Sequence, residues 1–403
     1  MAADTSFEDD TLDEAIFNDD LLANDGDRNK FGDGFKSIMH VLDDTRLQAH
    51  FHRYKDLAGK AKAASHRSGA WAIGLGTAAI LLAGTEIITD YYSPFVTGRL
   101  GESNTNVVLF VLAVGAAVCG IASVFVGRMG VLIGKRKRNW LHNRFMAEAT
   151  RQFHFQSMIA HLPDILASLQ GTDDPAREKA KEAFKGKRNE WFSEFRSGFA
   201  GHIGPMFQRV VDLSELDGWW HGNKEIPDMG GDHPELAPLF KAYRMLRLEH
   251  QHKYAKYKLQ DDHRILSAFP RQQAAVLRAI ATWGIGALFT IHILLLVSII
   301  IVVLLSAREF GNTFSPWSGL LNGAIILIPV IILATRAFED GLLPETEVDR
   351  YERYEAGTAA LLRQFDASKT QAEKLVTMRR MEQLAFDEMV DFLRANNRAV
   401  FVI

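Results

Sequence analysis

The sequence predicts an all-α membrane protein with four spans in two tandem hairpins and a helical cytoplasmic domain. Three observations predict it. Four runs lack Asp, Glu, Lys and Arg: Gly69–Thr85, Ser103–Gly127, Ala279–Ala307 and Phe310–Thr335, of 17, 25, 29 and 26 residues. Positive charge is distributed unequally at their ends. Elsewhere Leu, Met and Phe recur at helical spacing, and nothing marks a β-rich domain.

A bilayer core takes about 20 apolar helical residues at about 1.5 Å rise each. Water-soluble helices of this length carry a charged face, and these carry none. The first run is the shortest and ends at Glu86, so a buried core helix is its alternative reading. Lys55, Lys60, Lys62 and Arg67 precede it, and Arg128, Lys135, Arg136, Lys137 and Arg138 follow the second run. Arg264, Arg271 and Arg278 precede the third run, and Arg336, Arg350 and Arg353 follow the fourth. The two short connections carry only Arg99 and Arg308. The positive-inside rule then places both termini and the middle segment in the cytoplasm of a cell with this protein in its inner membrane. Trp71, Tyr91, Tyr92, Trp283 and Trp317 fall where interfacial aromatics belong.

Residues 1–35 hold eleven acidic and two basic residues, against a net charge of −3 for the whole chain. Such a tail reads as disordered and solvated. Leu12, Ile16, Phe17 and Leu21 nevertheless follow Thr11 at helical spacing, which reads as a helix docked on basic surface. Residues 36–170 and 236–403 then repeat one plan: basic helix, two-span hairpin, long polar helix. Residues 171–235 connect them, with an aromatic helix face at Trp191, Phe192, Phe195 and Phe199 and a Gly/Pro-rich stretch around Trp219 and Trp220. The lone cysteine, Cys119, lies inside the second run, so no intrachain disulfide is expected. The acidic N-terminus is unlike a secretory signal, which leaves the first span to direct insertion.

Catalytic signatures for a serine nucleophile elbow, a Walker A loop or a zincin helix are absent, and neither an enzyme, a metal site nor a cofactor is expected. The pairs His50/His52 and His250/His252 point to different helix faces, which suits no metal. The segment 244–258 is richer. Arg244, Arg247, Lys253 and Lys256 alternate with Tyr254 and Tyr257, and basic residues with aromatic rings suit the phosphates and bases of a nucleotide or oligonucleotide. Contact with anionic lipids is the competing reading. In the membrane, Glu86 and Asp90 are candidates for a cation-selecting vestibule, with interfacial anchoring as the alternative. His292 either lines a water-filled path or bonds a neighbouring helix. Leu375, Met378, Met381, Ala385, Met389 and Phe392 form a seam for packing within the chain or between copies.

The basic helix Arg53–Arg67, the hairpin 69–134 and the helix from Lys135, repeated as the hairpin 279–335 and the tail Tyr351–Leu393, resemble the SLATT-like family of bacterial membrane effectors. A four-span member with a basic, aromatic cytoplasmic part is similar to the Hailong-type channel effectors. The resemblance implies a pore serving anti-phage defence, controlled by a nucleotide or oligonucleotide signal from a nucleotidyltransferase-like partner. Four helices per chain make a poor pore alone, so a homo-oligomer is expected. A non-conducting scaffold or sensor and a small transporter are the alternatives. Reporter fusions after Leu100 and Asn312 should report the outside, and fusions at Ala2, Gly218 and Ile403 the cytoplasm. A cytoplasmic signal from either short connection would overturn this topology.

Overall fold

A computed structural model describes residues 19–22, 34–92, 97–99, 101–132, 134–170, 174–208, 227, 229–260, 269–305 and 308–399. Among these residues the secondary structure is helical, with no strand. The α-helices are α1 (Met39–Leu42), α2 (Thr45–Tyr91), α3 (Glu102–Leu132), α4 (Gly134–Ala160), α5 (Leu162–Gln170) and α6 (Asp174–Gln208). After them come α7 (Ala237–Tyr243), a π-helical turn (Arg244–Glu249), α8 (His250–Lys258), α9 (Pro270–Leu305), α10 (Arg308–Leu342), α11 (Pro344–Ala367) and α12 (Gln371–Arg398). Single 3-10 turns occur at Asp19–Leu21, Lys36–Ile38 and Pro234–Leu236.

The helix ends follow local chemistry. Asp44 starts α2: its Oδ1 accepts the backbone N–H groups of Arg46 at 3.1 Å and Leu47 at 3.2 Å. Thr370 and Glu373 form a capping box at α12, with Thr370 Oγ1 accepting from the Glu373 N–H and Glu373 accepting from the N–H of Lys369 and Thr370. Between α10 and α11, Leu343 takes a left-handed φ of 50° and donates its N–H to the Glu339 carbonyl. Pro344 then opens α11, where its missing N–H costs nothing.

The chain divides into two compact units. Unit 1 comprises Met1–Ala63, Lys135–Gln272 and Glu345–Arg398, and unit 2 comprises Ala64–Gly134, Gln273–Pro344 and Ala399–Ile403. The sequence segments 36–170 and 236–403 therefore each contribute to both. The acidic-tail expectation falls mostly outside the described residues, and so does the Gly/Pro-rich stretch around Trp219 and Trp220. Of the tail, Asp19–Leu22, Gly34 and Phe35 are described.

Unit 1 is a water-soluble type of core. Phe51, Phe145, Phe153, Phe155 and Phe184 are each at most 1% exposed. The α6 face supplies Trp191, Phe192 and Phe195, whose ring centroids lie 4.4, 5.2 and 5.1 Å from that of Phe153; the Phe199 side chain lies outside the described residues. The seam of α12 is buried in the same core at Leu375, Met378, Met381, Ala385 and Met389, which commits it to packing within the chain.

Unit 2 is built differently. Among the described residues three helices are long and apolar enough to cross a membrane: Thr45–Tyr91, Glu102–Gly127 within α3, and Pro270–Ile301 within α9. Their apolar side chains face outward, with Phe110, Ile121 and Trp283 exposed by 68%, 72% and 80%. A water-soluble fold does not leave such surface uncovered; lipid does not penalise it. Glycines set the helix contacts. A Cβ at Gly84 would stand 2.9 Å from Leu327, and one at Gly284 would stand 2.8 Å from Ile332. Gly115, Gly120 and Gly127 of α3 meet Leu82, Ala79 and Ala72 of α2 in descending order, so the two helices run antiparallel. Ser123 Oγ donates to the Ala72 carbonyl at 2.9 Å across the same contact. The fourth run lies in α10, and the side chains of 308–320 lie outside the described residues.

His154 and His40 are among the histidines that make unit 1 sensitive to acid; His50 is a third, its pKa lowered to about 4 by burial and then by Arg196 and Arg53. His154 is 1% exposed, and burial followed by the charges of Arg188 and Arg247 lowers its pKa to about 3. Burial, then Lys181, Lys185 and Arg188, lowers that of His40 to about 4. Both are neutral when folded and gain a proton when unfolded below their ordinary value near 6.5. Their contribution to stability is therefore complete above pH 6.5 and is lost as pH falls toward 4. His154 supplies a slope of up to about 1.4 kcal/mol per pH unit. Thermal unfolding of the solubilised protein should shift to lower temperature over that range, and His40→Asn with His154→Leu should flatten the dependence. An unchanged slope in the double variant would assign acid sensitivity elsewhere.

Candidate functional site: a charged helix over buried arginine pairs

The segment from α7 through the π-helical turn to α8 carries every ligand-binding candidate read from the sequence. Its buried face holds Leu239, Phe240, Tyr243, Leu246 and Ala255. The turn is widened by π geometry, in which residues five apart stack over one another. Arg244 and Glu249 accordingly pair at 3.2 Å. Arg244 also grips Asp366 through two bonds, of 2.6 and 2.8 Å. Glu249 meets Lys253 at 2.8 Å through its other oxygen. Hydrogen bonding to Lys253, and then the charges of Lys253 and Arg244, hold the Glu249 carboxyl below its usual range against the opposing effect of partial burial.

The predicted residues therefore divide. Arg244 and Lys253 reach solvent but already face Asp366 and Glu249. Lys256 is exposed. The Tyr254 hydroxyl lies 3.3 Å from that of Tyr351, with the rings edge-to-face at 6.0 Å. Tyr257 packs edge-to-face on Phe269 at 5.2 Å. The Lys258 ammonium lies over both Tyr254 and Tyr257, 5.9 and 6.0 Å from the ring centroids. Both rings thus have partners in the chain, and stacking a base on them requires a free ring face.

Arg247 is placed elsewhere. It is 1% exposed and forms two bonds to Glu382, at 2.9 and 2.7 Å. The Tyr243 hydroxyl donates to Glu382 at 2.7 Å, with the Met378 carbonyl 3.0 Å away as its other acceptor. The Phe155 ring lies under the guanidinium, 4.8 Å away. Burial opposes the charge on Arg247, but the Glu382 charge and hydrogen bonds more than offset it and raise the guanidinium pKa above its usual value. Burial, then the Glu382 carboxylate, pushes the Tyr243 phenol well above its ordinary value. A fully buried arginine matched in this way has no face to offer a ligand, so its part is structural.

The same motif recurs in unit 1. Arg151 binds both oxygens of Glu148, at 2.9 and 2.8 Å, meets Asp20 at 2.9 Å, and lies over Phe51. Arg188 pairs with Asp44 at 2.9 Å, donates to the Val41 carbonyl at 2.9 Å, and lies over Phe184. Arg350 pairs with Glu347 and Glu388 and lies over Tyr351 and Phe392. Sequence reasoning missed this network. Its one legible signal was a carboxylate, Glu382, inside the α12 seam between Met381 and Ala385.

In unit 2, Glu86 is half-buried and Asp90 is exposed one turn later on α2. His292 lies on an exposed part of α9, and its Nδ1 bonds the Leu288 carbonyl of its own helix at 2.8 Å. Its polar group is thus served within α9, and neither reading made from the sequence needs to hold for it to be stable there. Among the described residues no group of three or more His, Cys, Asp or Glu is placed to hold a metal ion.

Breaking the central pair should be costly and replacing it should not. Arg247→Met or Glu382→Gln alone should destabilise unit 1 by about 3–5 kcal/mol, because each strands a buried polar partner. Arg247→Met with Glu382→Leu should lose far less than the sum. Denaturant unfolding of the solubilised variants measures this, and simple additivity would refute the pairing as the source of the loss. Compared with family models, curated proteins and solved structures, the chain matches none.

Proposed function

We propose that this chain is a ligand-gated ion channel or pore of the bacterial inner membrane, with four spans in two hairpins and both termini in the cytoplasm. The observation that carries the reading is the contrast between the two units. Unit 2 presents uncovered apolar helices joined through glycines, as a membrane assembly does. Unit 1 has a closed core with a charged surface, as a sensing domain does. Helix α2 contributes residues to both, so a change in one is covalently coupled to the other. The fourth span is the Phe310–Thr335 run within α10. A homo-oligomer closes the pore, and Glu86 and Asp90 line its outer vestibule.

The ligand in this reading is a nucleotide or oligonucleotide on the cytoplasmic side, made by a nucleotidyltransferase-like partner in an antiviral role. Arg244, Lys253 and Lys256 supply its electrostatic attraction. Competition from Asp366 and Glu249 weakens that attraction, so binding needs enough phosphates to displace them. The same internal pairing favours a non-conducting membrane-anchored sensor as the second reading.

Ion flux into vesicles containing the purified oligomer separates the two. The channel reading expects flux that responds to oligonucleotide, and a several-fold fall in cation conductance for Glu86→Gln with Asp90→Asn at unchanged membrane content. Lys253→Gln with Lys256→Gln should weaken oligonucleotide binding and reduce its logarithmic salt slope by about 1.4, or ~0.7 for each lost contact. Absence of flux in correctly folded oligomer would favour the sensor. Absence of oligonucleotide binding at low salt would remove the nucleotide arm.

A further inference from the structure

The acidic N-terminal segment enters the core of unit 1 at one place. Asp20, Leu21 and Leu22 are 0%, 1% and 0% exposed. Asp20 meets Arg151 at 2.9 Å. The Gln48 side-chain amide donates to the carbonyls of Leu21 at 2.9 Å and Leu22 at 3.2 Å. The 3-10 turn Asp19–Leu21 packs against the π-helical turn Arg244–Glu249. Leu22 takes a φ of 51°, a left-handed conformation rare for a branched side chain, which the docked contacts must hold in place.

The receiving groups do not depend on the segment. Arg151 keeps both oxygens of Glu148, and the Gln48 amide keeps Asp43 Oδ1 at 3.1 Å. Each has a second partner already in position, so departure of the segment leaves neither without one. What departure removes is one of the two carboxylates that neutralise Arg151, which also feels the charges of Arg144 and Arg247, together with the strain at Leu22. These are the properties of a preformed site and a removable occupant, and they differ from those of a core element whose loss strands its neighbours.

We infer that Asp19–Leu22 is a detachable intramolecular latch, and that the surface formed by Gln48, Arg151 and the π-helical turn is a binding site for this short acidic–aliphatic segment. Arg151 reads the Asp20 carboxylate, Gln48 reads the carbonyls of Leu21 and Leu22, and the apolar floor takes two leucines. Release uncovers a cationic, apolar pocket beside the Arg244–Glu249 turn, so occupancy of the pocket controls the surroundings of that turn. The latch operates whatever the membrane-spanning helices conduct.

Hydrogen exchange on the full-length, detergent-solubilised protein tests this. A peptic fragment covering residues 17–24 should exchange well before one covering 375–393, and Asp20→Asn should speed the first at least tenfold while leaving the second unchanged. An isotope-labelled synthetic peptide of residues 17–24, in excess over wild-type protein, should likewise speed exchange of the chain's own segment, and the same peptide carrying Asn for Asp20 should not. Exchange of both fragments in step, acceleration of both by Asp20→Asn, or no displacement by the peptide would each overturn the latch and make the segment a fixed part of the core. Should Asp20→Asn fail to fold, the peptide arm on wild-type protein still decides.

Discussion

The pairing of buried arginines with carboxylates holds unit 1 to one arrangement. The pairs Arg188–Asp44, Arg247–Glu382 and Arg350–Glu388 join segments far apart in the chain. Apolar packing alone tolerates sliding of one helix past another, because one leucine is much like the next. A buried guanidinium does not tolerate it, since a shift of one turn strands a charge. The aromatic rings beneath the guanidinium groups of Arg151, Arg188, Arg247 and Arg350 fill the flat space that such groups leave. The value of these pairs therefore lies in specificity of register more than in net stability.

Unit 2 solves its packing by other means, because its solvent differs. Lipid tails are as apolar as leucine, so burying leucine between helices gains little there. Close approach is what remains, and Gly84, Gly115, Gly284 and Gly323 provide it by leaving room for Leu327, Leu82, Ile332 and Ile88. One polypeptide thus uses large aromatics and paired charges in one unit and missing side chains in the other.

What could be read in the sequence follows the same division. Apolar runs, helical periodicity and the faces of α6 and α12 report short-range pattern, and Trp191, Phe192, Phe195, Leu375, Met378 and Met381 all lie in the core where the periodicity puts them. Interleaving of the units was not legible, because it depends on contacts between residues such as Tyr243 and Glu382 that lie 139 positions apart. The candidate ligand segment shows why composition misleads. Arg247 looks like Arg244 in a list of basic residues, yet the apolar face that runs through Leu239, Tyr243 and Leu246 carries it inward to Glu382. Counting charges along a helix overstates a basic surface when the neutralising carboxylates, here Asp366 and Glu249, come from another helix or from the next turn.

The π-helical turn between α7 and α8 holds one residue more than an α-helical path would need. Each residue of an α-helix advances the azimuth by about 100°. If this turn tightened to α geometry while α7 stayed clamped by Tyr243, α8 would swing by about that angle about its own axis, and Lys253, Tyr254 and Lys256 would change sides together. The Arg244–Glu249 contact spans five residues, the spacing that the widened form brings together. A helix can in this way carry two registers in one sequence and exchange them without unfolding, which turns a local irregularity of the backbone into a mechanical degree of freedom.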